Sequence, residues 1–133
     1  MDSQEQPEGV TLGPTDVHIS PMGVGAWAWG DRFYWGYGRE YTKEDVRAAF
    51  KASVAAGINF FDTAEVYGFG QSERLLGEVG ADQGVVVASK FMPLPWRLRR
   101  GSLLRALRGS LRRLGMDRVG LYQIHWPFLL VPI

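Results

Sequence analysis

The chain has 133 residues, 46% of them hydrophobic and 13% aromatic, with no cysteine and a formal net charge of +1. That length supports one domain with its own core, and the missing thiols exclude disulfides, thiolate nucleophiles and cysteine-bound zinc. A charge so close to zero sets up no field for nucleic acid or an anionic membrane.

Residues 1–9, MDSQEQPEG, are polar and acidic and are expected to form a disordered leader. They lack the basic and apolar regions of a secretion signal. No run of about 18 apolar residues follows, so no membrane-spanning helix is expected and the cytoplasm is the expected location. Val10–Leu12 and Val17–Ile19 flank the turn-rich GPTD and predict a β-hairpin. Met22–Trp27 reads as a first core strand, followed by an aromatic, glycine-rich loop. Thr42 with Asp45 predicts a capping-box start for a helix whose apolar face is Val46, Ala49, Phe50 and Val54, stopped by Gly57. Ile58–Phe61 is a second strand. Ser72 opens a short helix to Val79, with Glu73 in its first turn.

Val85–Ser89 is β-branched and apolar, as in a strand buried on both faces. Ser102 is the expected cap of a helix over 103–114, with a stripe at Leu103, Leu104, Leu107, Leu111 and Leu114 and a stop at Gly115. Val119–Ile124 is a fourth strand. This alternation of strand and helix predicts an α/β fold with about four parallel strands. It fits a partial TIM (β/α)8 barrel carrying an N-terminal β-hairpin. A complete barrel takes roughly 250 residues, so residues 10–133 are expected to be the N-terminal half of one, cut after its fourth strand.

Polar residues stand at the ends of these strands: Asp62, Lys90 and His125, with Tyr67 in the loop after Asp62. Strand side chains alternate faces. Asp62 shares parity with Ile58 and Phe60, Lys90 with Val86 and Ala88, and His125 with Leu121 and Gln123. If those faces point inward, the groups meet at the C-terminal mouth, where barrel enzymes keep their chemistry. A phenol titrates near about 10 when unperturbed, so it donates a proton at neutral pH only with help from a cation such as Lys90. Asp62 holds that cation, and His125 orients a carbonyl. Such a group suits protonation of an oxyanion formed when hydride attacks a carbonyl carbon.

GINFFDTAEVYGFGQSERLLG, VVVASKF and LYQIHWP resemble the aldo-keto reductase family, from about Val10 to Pro127. The GDRFYWGYG insertion is closer to its bacterial and plant-plastid branch. The resemblance implies a (β/α)8 barrel plugged by a hairpin, and metal-free hydride transfer from NADPH to an aldehyde or ketone. It implies Tyr67 as general acid, Lys90 and Asp62 as its tuning partners and His125 as the orienting residue. It places Ala26, Trp27 and Asp62 against the nicotinamide. In this family most of the cofactor cradle belongs to the second half of the barrel, so the chain is expected to hold the catalytic four without that cradle. Trp27, Trp29 and Trp126 are the preferred lining of an apolar substrate pocket.

Other readings of the same residues are weaker. Gly23-Val24-Gly25-Ala26-Trp27-Ala28 fits G-x-G-x-x-A but runs into an aromatic loop rather than a helix, against a dinucleotide fingerprint. Seven arginines between Arg97 and Arg113 suggest nucleic acid, yet Arg105, Arg108 and Arg112 lie opposite the leucines, as on a solvated helix face. His18 and His125 lie too far apart in sequence to suggest a metal site. The rival functions are a cofactor-sensing channel accessory subunit of the same fold, a non-functional truncation, and a TIM-barrel enzyme using Lys90 as a Schiff base. The spacing of Asp62 and Tyr67 argues against the last. The physiological substrate, the preference between NADP and NAD and the oligomeric state are left open.

Overall fold

The computed structural model describes residues 8–126. The first seven positions of the expected leader and the segment 127–133 lie outside the described residues. Strands β1 (Val10–Thr11) and β2 (His18–Ile19) pair antiparallel as the expected hairpin. Its turn is held by the Leu12 N–H on the Val17 carbonyl and by the Thr15 hydroxyl on the Leu12 carbonyl. Asn59 fastens the hairpin beneath the sheet. Its Oδ1 accepts the Ser20 N–H at 2.7 Å, and its Nδ2 donates to the His18 carbonyl at 3.2 Å.

Four strands follow: β3 (Gly23–Gly25), β4 (Phe60–Asp62), β5 (Val86–Phe91) and β6 (Leu121–Ile124). They lie in chain order and every pair is parallel, the arrangement of a partial barrel. β3 is shorter than expected and ends at Gly25, where the chain turns into the aromatic loop. Three helices connect them: α1 (Lys43–Ala55), α2 (Gln71–Gly80) and α3 (Arg100–Leu114). At the start of α1, Asp45 Oδ2 accepts the Thr42 N–H at 2.7 Å. At its end Gly57, with φ 83, donates to the Val54 carbonyl while Ile58 donates to that of Ser53. This is a Schellman closure that needs the left-handed backbone a glycine adopts freely.

The core lies between the outer face of the sheet and the helices. Phe61 and Val87 point outward and meet Val46, Phe50, Leu75, Leu76 and Leu114. The Phe50 and Phe61 rings are 4.9 Å apart. Ala49, expected on this face, is exposed. Between α2, β5 and α3 lies a buried polar lock. Glu73, wholly buried, accepts the Ser89 hydroxyl at 2.6 Å and Arg113 Nε at 2.6 Å. A carboxylate so buried needs both partners, because an unpaired one would be strongly destabilising.

Two helix starts differ from expectation. Ser72 lies inside α2 rather than before it, because Gly70 (φ 88) takes the N-cap position. The Ser72 hydroxyl instead donates to the buried Ala26 carbonyl at 2.7 Å. Ser102 lies inside α3, which begins at Arg100. The leucine repeat starts only at Leu103, so periodicity did not reveal the first turn. The buried side of α3 is Ala106, Gly109, Ser110 and Leu114, and Leu104 is exposed. Small residues let α3 come close to α2, leaving most of the leucine stripe at the flank.

Candidate active site

The ladder of the sheet explains how distant polar residues reach one rim. Asp62 pairs with Ala88, and Lys90 stands two residues further along β5. Lys90 pairs with Gln123, and His125 stands two residues beyond that. Each polar residue therefore keeps the facing parity and steps forward once per strand. That stagger suits the strand tilt of a barrel, and the three groups arrive at one level. The His125 N–H continues the ladder on the Phe91 carbonyl at 2.8 Å.

Lys90 Nζ donates to Asp62 Oδ2 at 2.6 Å and to the Thr63 carbonyl at 2.9 Å. Its side chain is only 14% exposed. The same ammonium lies 5.0 Å from the centre of the Tyr67 ring. His125 meets that ring edge-on, with centroids 5.4 Å apart and planes at 89°, and Trp126 stacks on the imidazole at 6.0 Å. The four expected groups, Asp62, Tyr67, Lys90 and His125, therefore come together. Gln123 joins them, donating from Nε2 to Asp62 Oδ1 at 3.3 Å. Its shared parity with His125 was the available signal, but an amide in a strand carries no chemical signature of its own.

Burial, and then the Lys90 charge, hold the His125 imidazole below its ordinary pKa against the opposing pull of Asp62 and Glu65. Among the described residues its buried Nδ1 has no hydrogen-bond partner. A proton there would be an orphaned donor, so the proton belongs on Nε2. The lowered pKa favours the neutral ring, which presents one donor.

Tyr67 is carried on a tight turn, Tyr67–Gly70, in which Gly68, Phe69 and Gly70 are all left-handed. A Cβ on Gly68 would sit 2.9 Å from the Gly30 carbonyl oxygen, so the turn rests directly on the aromatic loop. In that loop Asp31 Oδ1 accepts the Tyr34 and Trp35 N–H groups at 2.7 and 3.3 Å. This sets Tyr34 parallel to Trp27, with centroids 5.5 Å apart, and Trp35 edge-on to it. Trp27 in turn faces Tyr67 at 6.1 Å.

Two expected contacts are corrected. Trp29 is 8% exposed and packs on Phe61 in the core, behind the sheet rather than at its mouth. Ala26 has no exposed surface, and its carbonyl serves Ser72 and Trp29. It supports the site from behind and cannot touch a cofactor. Gly25 is exposed and pairs with Asp62, and a Cβ there would meet nothing within 4 Å. This bare backbone leaves an open approach beside Asp62 and the half-exposed Trp27, where the reactive end of a nicotinamide would fit. Among the described residues no group of three or more His, Cys, Asp or Glu could hold a metal ion, and no helix is long and apolar enough to cross a membrane.

Comparison with known proteins agrees with this geometry. The pattern described as the Aldo/keto reductase family matches residues 21–133. A chloroplastic pyridoxal reductase of Arabidopsis thaliana is 45% identical over 88% of the chain and 34% of the relative. A thermostable aldo-keto reductase, solved with the inhibitor epalrestat, superposes with a TM-score of 0.74 at 35% identity, covering 93% of this chain and 44% of that one. An aldo-keto reductase from Klebsiella pneumoniae in complex with NADPH gives 0.73 at 29% identity, covering 92% and 40%. The chain thus spans about a third of the length of the curated relative it matches.

Proposed function

Because the chain belongs to the aldo/keto reductase family, we propose that it provides the proton-transfer half of an NADPH-dependent reduction of aldehydes or ketones to alcohols. Residues 10–133 are read as the N-terminal half of the barrel, working in the cytoplasm on a small-molecule carbonyl compound. The observation that carries the proposal is the placement of Lys90 Nζ, held by Asp62 at 2.6 Å and lying 5.0 Å from the Tyr67 ring centre, with His125 edge-on to that ring.

When bound, NADPH supplies the hydride. Gly25, Trp27 and Asp62 are the residues of this chain that would hold its nicotinamide end. Tyr67 delivers the proton to the carbonyl oxygen. Lys90 stabilises the phenolate left behind, and Asp62 keeps the ammonium charged and in place. Neutral His125 donates from Nε2 to the same oxygen and fixes the direction from which the carbonyl is approached. The faces of Trp27, Tyr34 and Trp126 favour flat, apolar substrates over branched ones. Because a relative is named for pyridoxal, a planar aromatic aldehyde, pyridoxal is the first probe.

The test follows oxidation of NADPH, with pyridoxal and benzaldehyde, by a full-length barrel that joins these residues to the second half its relatives carry. Tyr67→Phe is expected to lower turnover by about a hundredfold to ten-thousandfold, the range of general acid catalysis, while NADPH binding by fluorescence titration stays as in the parent. Unchanged turnover in Tyr67→Phe, or no turnover by the parent with NADPH bound, would refute the proposal.

A further inference from the structure

Two residues that the reaction above does not use join the loop that carries Tyr67 to the loop that follows Lys90. Glu65 precedes Tyr67 by two positions, and its side chain is 10% exposed. Its Oε1 accepts Arg97 Nη1 at 2.7 Å and the Met92 N–H at 2.8 Å, and its Oε2 accepts Arg97 Nη2 at 3.1 Å. This is a two-toothed guanidinium–carboxylate fork, the geometry that fixes direction as well as distance. Arg97 also donates to the Met92 carbonyl at 3.2 Å, and its guanidinium covers the Phe91 ring at 4.8 Å. Met92 follows Lys90 by two positions. One end of the fork therefore belongs to the segment carrying the phenol, and the other grips the segment carrying the ammonium.

Lys90 is already joined to Asp62 and to the Thr63 carbonyl inside the mouth, and the Glu65 N–H reaches the Lys90 carbonyl at 3.4 Å, so the fork is an outer contact added to inner ones. The inner contacts lie at the strand ends. The outer one, Glu65 with Met92 and Arg97, joins the loops just beyond them. Tyr67 lies two residues past the last of these inner contacts, the Glu65 N–H on the Lys90 carbonyl. The turn itself is short and closed by local bonds, the Phe69 N–H on the Val66 carbonyl at 3.1 Å among them, and it contains three consecutive left-handed residues. We propose that the Glu65–Arg97 pair is a positioning device that holds the Tyr67 turn at its working distance from Lys90 and His125. The inference rests on the reductase reading for its consequence in turnover, but its structural content stands apart from that reading.

The experiment uses the whole chain without cofactor. Nuclear Overhauser contacts between the Tyr67 and His125 rings report the placement of the turn, and those between Phe50 and Phe61 report the core. In Glu65→Gln the Tyr67–His125 contact is expected to fade while the Phe50–Phe61 contact persists. The Met92 amide should exchange about tenfold to a hundredfold faster, as expected for loss of a charge-assisted hydrogen bond. Arg97→Lys keeps the charge but loses the fork, and should weaken the Tyr67–His125 contact in the same sense. It decides the matter if Glu65→Gln does not fold. A full-strength Tyr67–His125 contact in the folded variants overturns the inference, and so does joint fading of both contacts, which would mark a merely structural pair. Where the full-length barrel turns over an aldehyde, kcat should fall in Glu65→Gln with KM nearly unchanged, and an unchanged kcat overturns the inference. A full-length barrel that lacks turnover, beside a chain that shows the predicted ring contacts, defeats the reductase reading and leaves the positioning role standing.

Discussion

His125 shows how one side chain couples the site to the acidity of its surroundings. Its folded pKa lies below the ordinary value of about 6.5, because of burial first and the Lys90 charge second. Between that ordinary value and the lower folded one, the unfolded chain binds a proton that the folded chain refuses. Stability from this residue is therefore complete above about pH 6.5 and is lost as the pH falls through the folded pKa. The melting temperature of the parent should drop more steeply on acidification than that of His125→Gln, measured by circular dichroism across the same pH series; parallel curves would contradict the assignment. The polar residues of the site were readable in the sequence because acid, phenol, ammonium and imidazole each announce a chemistry, and strand parity said which way they face. The expectation for Ala26, drawn from the family resemblance, and that for Trp29, drawn from the aromatic loop, failed because β3 ends at Gly25 and the chain beyond it turns both residues into the core. Glu65 and Arg97 were missed because an ion pair between two loops leaves no periodic trace.

Helix packing turns on a contact that no side chain makes. A Cβ on Gly77 in α2 would lie 2.3 Å from the carbonyl oxygen of Leu114 at the end of α3. Backbone cannot yield there as a flexible side chain would, so Gly77→Ala must push the two helices apart. The expected loss is about 1–3 kcal/mol, the usual range for overpacking, despite the better helix propensity of alanine. It should appear as a lower urea midpoint with an unchanged slope. Separation of α2 from α3 also stretches the Glu73–Arg113 contact, so the true cost should lie toward the upper end. The presence and order of the helices were readable from their apolar spacing and from glycine stops at Gly57 and Gly115. The start of α1 was readable from Thr42 and Asp45, but those of α2 and α3 were not, because Gly70 in a left-handed cap and Arg99 before α3 carry no serine or threonine signature. The small face of α3 was equally hidden, since alanine, glycine and serine do not register as apolar periodicity.

Across the whole molecule, strand order and direction followed from the alternation of strand and helix, and the hairpin from its turn residues. The docking of that hairpin did not. Asn59 looks like any polar residue until its amide is seen satisfying Ser20 and His18 together. Among the described residues β3 and β6 each have one unpaired edge, and unpaired edges invite pairing with another chain. The chain on its own is expected to elute ahead of a 14.9 kDa monomer in size-exclusion chromatography and to shift toward it on dilution. A sharp monomer peak at every concentration would show that the edges are protected. The stagger from Asp62 to Lys90 to His125 carries a further consequence for descent. Replacing Val86 or Leu121 with another apolar residue leaves the facing of every polar group intact. Inserting or deleting one residue in β5 ahead of Lys90 would turn the ammonium to the helix side. Lineages of this protein should accordingly vary in the residues filling these strands and in the lengths of the loops between them, while strand lengths stay fixed.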